Sequence, residues 1–199
     1  LDKFNSKLLG HLKNRVVMSP MTRGFADKNH CCTDEISEYY VRRAKHDVGL
    51  IITEGIVIHP SADGYLNVPH MATLKQADSW RKTINGVHQY NSKIIAQLWH
   101  CGRISHPDFT GGLDPVSSTD IPAEGMNRQN NKPFGKPRAL ATEEITSIID
   151  MHVEATRKAL NVGFDAVQIH MGHGYLIDQF FDSRINTRDD KYGGSIENR

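Results

Sequence analysis

The chain has 199 residues, and its 24 Lys and Arg face 23 Asp and Glu for a formal net charge of +1. That length suffices for one domain with its own core. Balanced, interspersed charge creates no field toward nucleic acid or an acidic membrane surface, and no apolar run approaches the roughly 20 residues that span a bilayer. The opening stretch "LDKFNSKLLGHLKNR" has no signal-peptide core. Cys31, Cys32 and Cys101 are odd in number and lack CxxC spacing. They argue against a disulfide scaffold or a zinc ribbon, and for a reducing, cytoplasmic compartment.

In chain order, the first strand is expected in "RVVMSP", residues 15–20. A helix follows over 34–46, with Ile36, Tyr39, Tyr40 and Ala44 on one face. "GLIITEG", residues 49–55, is the second strand; Trp80, Ile84 and Val87 line a helix over 78–91; "KIIAQLWH", residues 93–100, is the third strand. Residues 101–141 hold five prolines and no sustained period, so they are expected to form a long irregular loop. The clearest helix is "TEEITSIIDMHVEATRKALNVG". Thr142 is expected to cap it, Gly163 to stop it, and Ile145, Ile148, Ile149, Val153, Thr156 and Leu160 to make one face. "FDAVQIH", residues 164–170, is the fourth strand.

Short, near-continuous apolar strands alternating with helices imply an α/β fold with a parallel sheet and right-handed crossovers. A doubly wound sheet and a (β/α)8 barrel both fit the alternation. No GxGxxG follows the first strand and no GxxxxGK[ST] occurs, which favours the barrel. In a barrel the strand ends meet at one mouth, where active sites are built.

Polar residues stand at those ends: Ser19, Pro20, Met21 and Thr22; then Glu54 and Gly55; then Gln97, Trp99 and His100; then His170, His173 and Tyr175. The two histidines admit three readings. Metal ligation needs a third ligand, and the i, i+3 spacing between glycines is not the helical HExxH form. Core packing suits one histidine better than a glycine-flanked pair. A two-donor clamp on one carbonyl oxygen would stabilise charge developing there, with Tyr175 supplying a proton. The Gln97 amide suits a ring with alternating N–H and C=O groups. Thr22 adds a hydroxyl, the main chain at Pro20 and Met21 can lie against a flat ring, and Gly55 permits close approach.

"NRVVMSPMTR", "QLWHCGR", "HMGHGYLIDQFF" and "NTRDDKYGGSIENR" resemble the old yellow enzymes, flavin-dependent ene-reductases that include the 12-oxophytodienoate reductases. The similarity runs from about residue 4 to the last residue. It implies a (β/α)8 TIM barrel of which the first four βα units are present, so that residues 1–199 form the N-terminal part of a single FMN-binding domain. It further implies noncovalent FMN contacted by Ser19, Pro20, Met21, Thr22, Gly55, Gln97 and His170. His170 and His173 would bind an enone carbonyl, Tyr175 would protonate the α-carbon, and Trp99 would line the substrate pocket. NADPH or NADH would be the reductant, with no metal, no nucleic acid and no membrane involved, and a homo-oligomer is compatible. Strands five to eight, with the arginine and the phosphate-binding residues they bring in the family, are expected beyond Arg199. A non-catalytic half-barrel and a dihydroorotate-dehydrogenase-like barrel are the alternatives; the HxxHGY pattern has no use in the latter.

Overall fold

In the computed structural model, which describes Leu1–Arg199, the four apolar runs become neighbouring strands of one parallel sheet. They are β3 (Val17–Met18), β4 (Leu50–Val57), β5 (Lys93–Trp99) and β10 (Ala166–Ile169). Their spatial order is their chain order. Val17 is paired with Leu50 and Met18 with Ile51, while Ala166 to Ile169 lie opposite Ile95 to Leu98. Sequential order is what successive βα units of a barrel lay down; a doubly wound sheet reverses direction partway. The sheet is open, with β3 and β10 at its edges.

The chain forms two compact units. The first comprises residues 1–57, 67–98 and 154–169, and contains this sheet up to Leu98. Its central strands are buried on both faces, through Ile51, Ile56 and Val57 of β4 and Ile94, Ile95, Ala96 and Leu98 of β5. The edge strand departs from the expectation for residues 15–20. It keeps only two residues in the ladder, and Val16 and Val17 are 41% and 48% exposed. Ser19 to Thr22 leave it without regular structure, and Pro20 has no N–H to donate to a ladder. A hairpin of β1 (Phe4–Ser6) and β2 (Gly10–Leu12) precedes it. No NG or DG turn announced that hairpin; its bend is held by Ser6 Oγ, which accepts the N–H groups of Leu8 and Leu9 at 3.2 and 3.1 Å.

Helix α1 (Asp34–Lys45) matches its expected span and is capped by the Thr33 hydroxyl, which accepts the Ile36 N–H. Ile36, Tyr39, Tyr40 and Ala44 are buried, as the periodicity requires. The helix expected over 78–91 is two helices, α2 (Leu74–Asp78) and α3 (Arg81–His88). A capping box between Thr73 and Gln76 starts the first one early. Trp80, Ile84 and Val87 are buried as expected.

Helix α4 (Thr142–Val162) has its expected length, and Gly163 follows at φ +110°. Two details differ. Thr142 is the first helical residue, not the cap, since its hydroxyl donates to Asp190 at 2.8 Å. Glu144 instead reaches back to accept the Ala141 N–H at 2.8 Å. The buried positions are Ile145, Ala155, Ala159 and Val162, while Ile149, Val153 and Leu160 are exposed. Small alanines mark the packed stripe here, and a count of large apolar residues misses them.

The second unit comprises residues 58–66, 99–153 and 170–199. The segment read as irregular carries two small ladders. β6 (Val116–Ser117) pairs in parallel with β9 (Arg138–Ala139), and β7 (Met126–Asn127) pairs antiparallel with β8 (Lys132–Pro133). Its core is Val116, Leu140, Ile145 and Leu176, with Ile148, Phe180 and Tyr192 packed against it. Helix α5 (Leu176–Phe181) contributes Gln179, which is fully buried and fully used. Its Oε1 accepts the Arg103 N–H at 3.1 Å, and its Nε2 donates to the Gly174 and Cys101 carbonyls at 2.7 and 3.3 Å. Gly102 lies over this amide at φ +60°, where a β-carbon would stand 2.3 Å from Gln179 Oε1. Gly102→Ala is therefore expected to destabilise the fold by about 2 kcal/mol, as a shift in the urea midpoint, through left-handed backbone plus overpacking. No helix of the chain is long and apolar enough to cross a membrane.

Candidate functional site

The sequence-predicted residues divide between the two units. In the first, Ser19, Met21 and Thr22 are exposed on the segment after β3, with Pro20 half-buried among them. Gly55 does not end its strand as expected but lies inside β4, and it is buried. Gln97, on β5, is also buried. Its Nε2 donates to Oε1 of Gln168 on β10 at 2.7 Å. That pairing follows from register, because Gln97 and Gln168 face each other across the parallel ladder. The Gln97 carbonyl and the Gln168 amide N–H groups stay uncommitted by hydrogen bonds, so the pair presents one acceptor beside donors. Gln168 escaped the sequence reading because it stands inside an apolar run.

Glu54, next to Gly55, is fully buried. Its Oε2 accepts the Arg23 N–H at 3.1 Å and its Oε1 the Tyr40 hydroxyl at 3.3 Å. Burial pushes its carboxyl up to about 7, against the opposing pull of those donors. Because the folded value is raised, folding favours the protonated form. That contribution is complete below the ordinary 4.5 and is lost as pH rises through about 7. Urea unfolding at pH 5 and pH 8 should show wild type losing stability relative to Glu54→Gln, by up to roughly 3 kcal/mol. A pH-independent difference would contradict it.

In the second unit, the end of β5 and the segment after β10 form an aromatic cluster. Trp99 is buried, His170 and Tyr175 are half-buried, and His173 is exposed. The Trp99 ring lies 6.0 Å from His170 at 21°, and 4.8 Å from Tyr175, edge to face. Ring centroids of His170 and His173 are 5.4 Å apart and nearly perpendicular; those of His170 and Tyr175 are 4.9 Å apart. Glycine flanks explain the tight turn. His173 takes φ +60° and Gly174 φ +77°, and the Gly174 N–H donates to the Asp178 carboxylate at 2.7 Å.

Protonation follows from these contacts. His170 Nδ1 accepts the Gly172 N–H at 3.4 Å, which favours the tautomer with its proton on Nε2. Burial, then the neighbouring His173, lowers its pKa, which favours the neutral imidazole. The Tyr175 hydroxyl lies 2.7 Å from the Tyr65 hydroxyl. Burial first, then that bond, raises the Tyr175 pKa, so it keeps its proton. The Trp99 indole N–H is buried without a partner. Tyr65 was missed by sequence reading: it sits in "SADGYLN", and only the fold brings it 4.8 Å from Trp99. His100 is not a member of this cluster's donor set. Its Nδ1 accepts the Gly102 N–H at 3.1 Å, and burial takes its pKa down to about 3.

Comparison with known proteins identifies the lineage of this arrangement. Residues 7–199 match the model of the NADH:flavin oxidoreductase / NADH oxidase family. The chain belongs to that family. It is 40% identical over 193 residues to flavin oxidoreductase hxnT of Emericella nidulans, covering 94% of this chain and 50% of that protein. It is 40% identical over 194 residues to 12-oxophytodienoate reductase 7 of Oryza sativa, covering 94% and 49%. Among solved structures, the old yellow enzyme homologue of Zymomonas mobilis superposes with TM-score 0.94 at 38% identity, over 99% of this chain and 55% of that one. Morphinone reductase in complex with tetrahydroNAD gives 0.87 at 36%, over 94% and 53%. The chain thus spans about half the length of the curated relatives it matches. The sheet corresponds to four successive strands of the family's TIM barrel, as an open α/β portion.

Proposed function

We propose that the protein acts as an FMN-dependent ene-reductase, taking hydride from NADH or NADPH and delivering it to the β-carbon of an α,β-unsaturated carbonyl compound. The observation that carries this reading is the second unit's cluster: His170 and Tyr175 lie with ring centroids 4.9 Å apart against Trp99, and the Tyr175 hydroxyl is 2.7 Å from that of Tyr65. Bound FMN supplies the two-electron exchange between reductant and alkene. The chemistry of the first unit's donor set fits such a ring. The Gln97–Gln168 pair offers an acceptor and donors for a pyrimidine edge, and Thr22 offers a hydroxyl. The main chain of Ser19, Pro20 and Met21, together with Gly55, would complete the first unit's contacts.

The clamp works by donation. His170 and His173 give N–H bonds to the carbonyl oxygen, which polarises the alkene and stabilises the oxygen as it gains charge. Trp99 would wall the substrate, its ring packed edge to face with Tyr175. Tyr175 holds a proton for the α-carbon, and Tyr65 keeps that hydroxyl in place. Tyr65→Phe removes this bond and should slow enone turnover about fivefold, the weight of one neutral hydrogen bond. Stopped-flow reoxidation measures it. The three unpaired thiols support a cytoplasmic setting.

Titration with FMN followed by anaerobic NADPH and then 2-cyclohexenone tests the whole reading. A yellow protein that bleaches and then recolours supports it. Protein that takes up no FMN, or bleaches and is recoloured only by oxygen, rejects it.

A further inference from the structure

The segment carrying Thr22 has no regular structure of its own; a buried carboxyl holds it. Glu54 Oε2 accepts the N–H of Arg23, the residue after Thr22, at 3.1 Å. Glu54 is tied twice to α1: Oε1 accepts the Tyr40 hydroxyl at 3.3 Å, and its own N–H donates to that hydroxyl at 2.7 Å. Both residues are fully buried. The Arg23 guanidinium forms no ion pair with the carboxyl, although its charge pulls the Glu54 pKa down against burial. That guanidinium lies over Tyr39 at 4.5 Å and Phe25 at 5.4 Å, and its Nε is buried without a partner. Side chains alternate along β4, so Glu54 points away from the face of Gly55. It is thus placed to act on a ligand at Thr22 and Gly55 only through the backbone it holds.

We propose that Glu54 is a positioning residue for the flavin: it locks the Thr22–Arg23 main chain against α1, and its protonation state is transmitted to the flavin potential through Thr22. This rests on the flavin reading above. The charged and titratable groups facing Glu54 are Arg23 from the segment after β3, Tyr40 from α1 and the Cys32 thiol before it. Burial pushes that thiol up to about 12, so it stays neutral, and Tyr40 is raised well above its usual range. Glu54 alone therefore titrates near neutrality, at about 7.

The test is the pH dependence of the FMN midpoint potential in the flavin-loaded protein, with amide hydrogen exchange measured without flavin. Wild type should show an inflection near pH 7 that Glu54→Gln abolishes. Tyr40→Phe keeps the carboxyl but removes a donor to its charged form, so its inflection should move to higher pH. In Thr22→Ala the inflection should shrink. At pH 8, the Arg23 amide should exchange about tenfold faster in Glu54→Gln, as loss of a charge-assisted bond predicts. Parallel potential curves for wild type and Glu54→Gln overturn the proposal, even if the Arg23 amide responds. Wild-type protein that takes no FMN instead rejects the flavin reading, and exchange at Arg23 still decides whether the clamp exists.

Discussion

Tyr175→Phe is expected to slow reoxidation of the reduced protein by 2-cyclohexenone by about 10²–10⁴-fold, the usual weight of a positioned general acid. The Tyr175 hydroxyl keeps its proton because burial and the Tyr65 bond both raise its pKa. Phenylalanine preserves the edge-to-face packing on Trp99 and His170, so the ring stays and only the proton is lost. Reduction by NADPH uses no such proton, and its rate should change by less than about twofold, as for an interaction absent from that half-reaction. Stopped-flow absorbance separates the two halves. Equal slowing of both would mean that Tyr175 serves the fold or the cofactor instead. The mutant should also tolerate a substrate whose product anion needs no protonation before release. Nitroalkenes are such substrates, because their nitronate product is stable in water.

The second large effect is expected at His170. Burial favours its neutral form, and the Gly172 N–H on Nδ1 favours the proton on Nε2. In the proposed reaction His170→Ala would remove one of two donors to the oxygen that gains charge, and should cost about 10²–10³-fold in enone turnover. His173→Ala alters a residue with φ +60°, where alanine is also strained. His173→Asn is the cleaner comparison. Asparagine tolerates the left-handed region and retains an N–H donor, so it should keep most of the activity. Equilibrium binding of a simple enone to oxidised protein reports the same oxygen. His170→Ala should weaken it, while Tyr175→Phe should leave it nearly unchanged.

Much of this site was legible before any coordinates, and the reasons differ by residue. His170, His173 and Tyr175 lie within six positions of one another, so one glycine-flanked turn brings them together locally. The four strands and their order followed from apolar runs separated by helices. Partners joined only by the fold were not legible. Tyr65 and Tyr175 are 110 positions apart, and Gln97 and Gln168 are 71 apart; neither pairing leaves a local pattern. Glu54 looked like one more polar strand end, but β4 continues to Val57 and buries it. The packed stripe of α4 was not legible from its large apolar residues, because Ala155 and Ala159 are buried while Val153 and Leu160 are exposed. Thr142 failed as a cap because a carboxylate 48 positions away takes its hydroxyl.

The most direct measurement follows both transferred hydrogens. The protein is loaded with FMN and given unlabelled NADPH and 2-methyl-2-cyclohexenone in D2O; before the product racemises, label positions are read by NMR and the α-carbon configuration by chiral chromatography. A clamp that fixes the carbonyl and a tyrosine that delivers the proton predict hydrogen at the β-carbon, deuterium at the α-carbon, and one configuration there. Both configurations at the α-carbon would mean that solvent, not Tyr175, protonates the product, and would contradict the account.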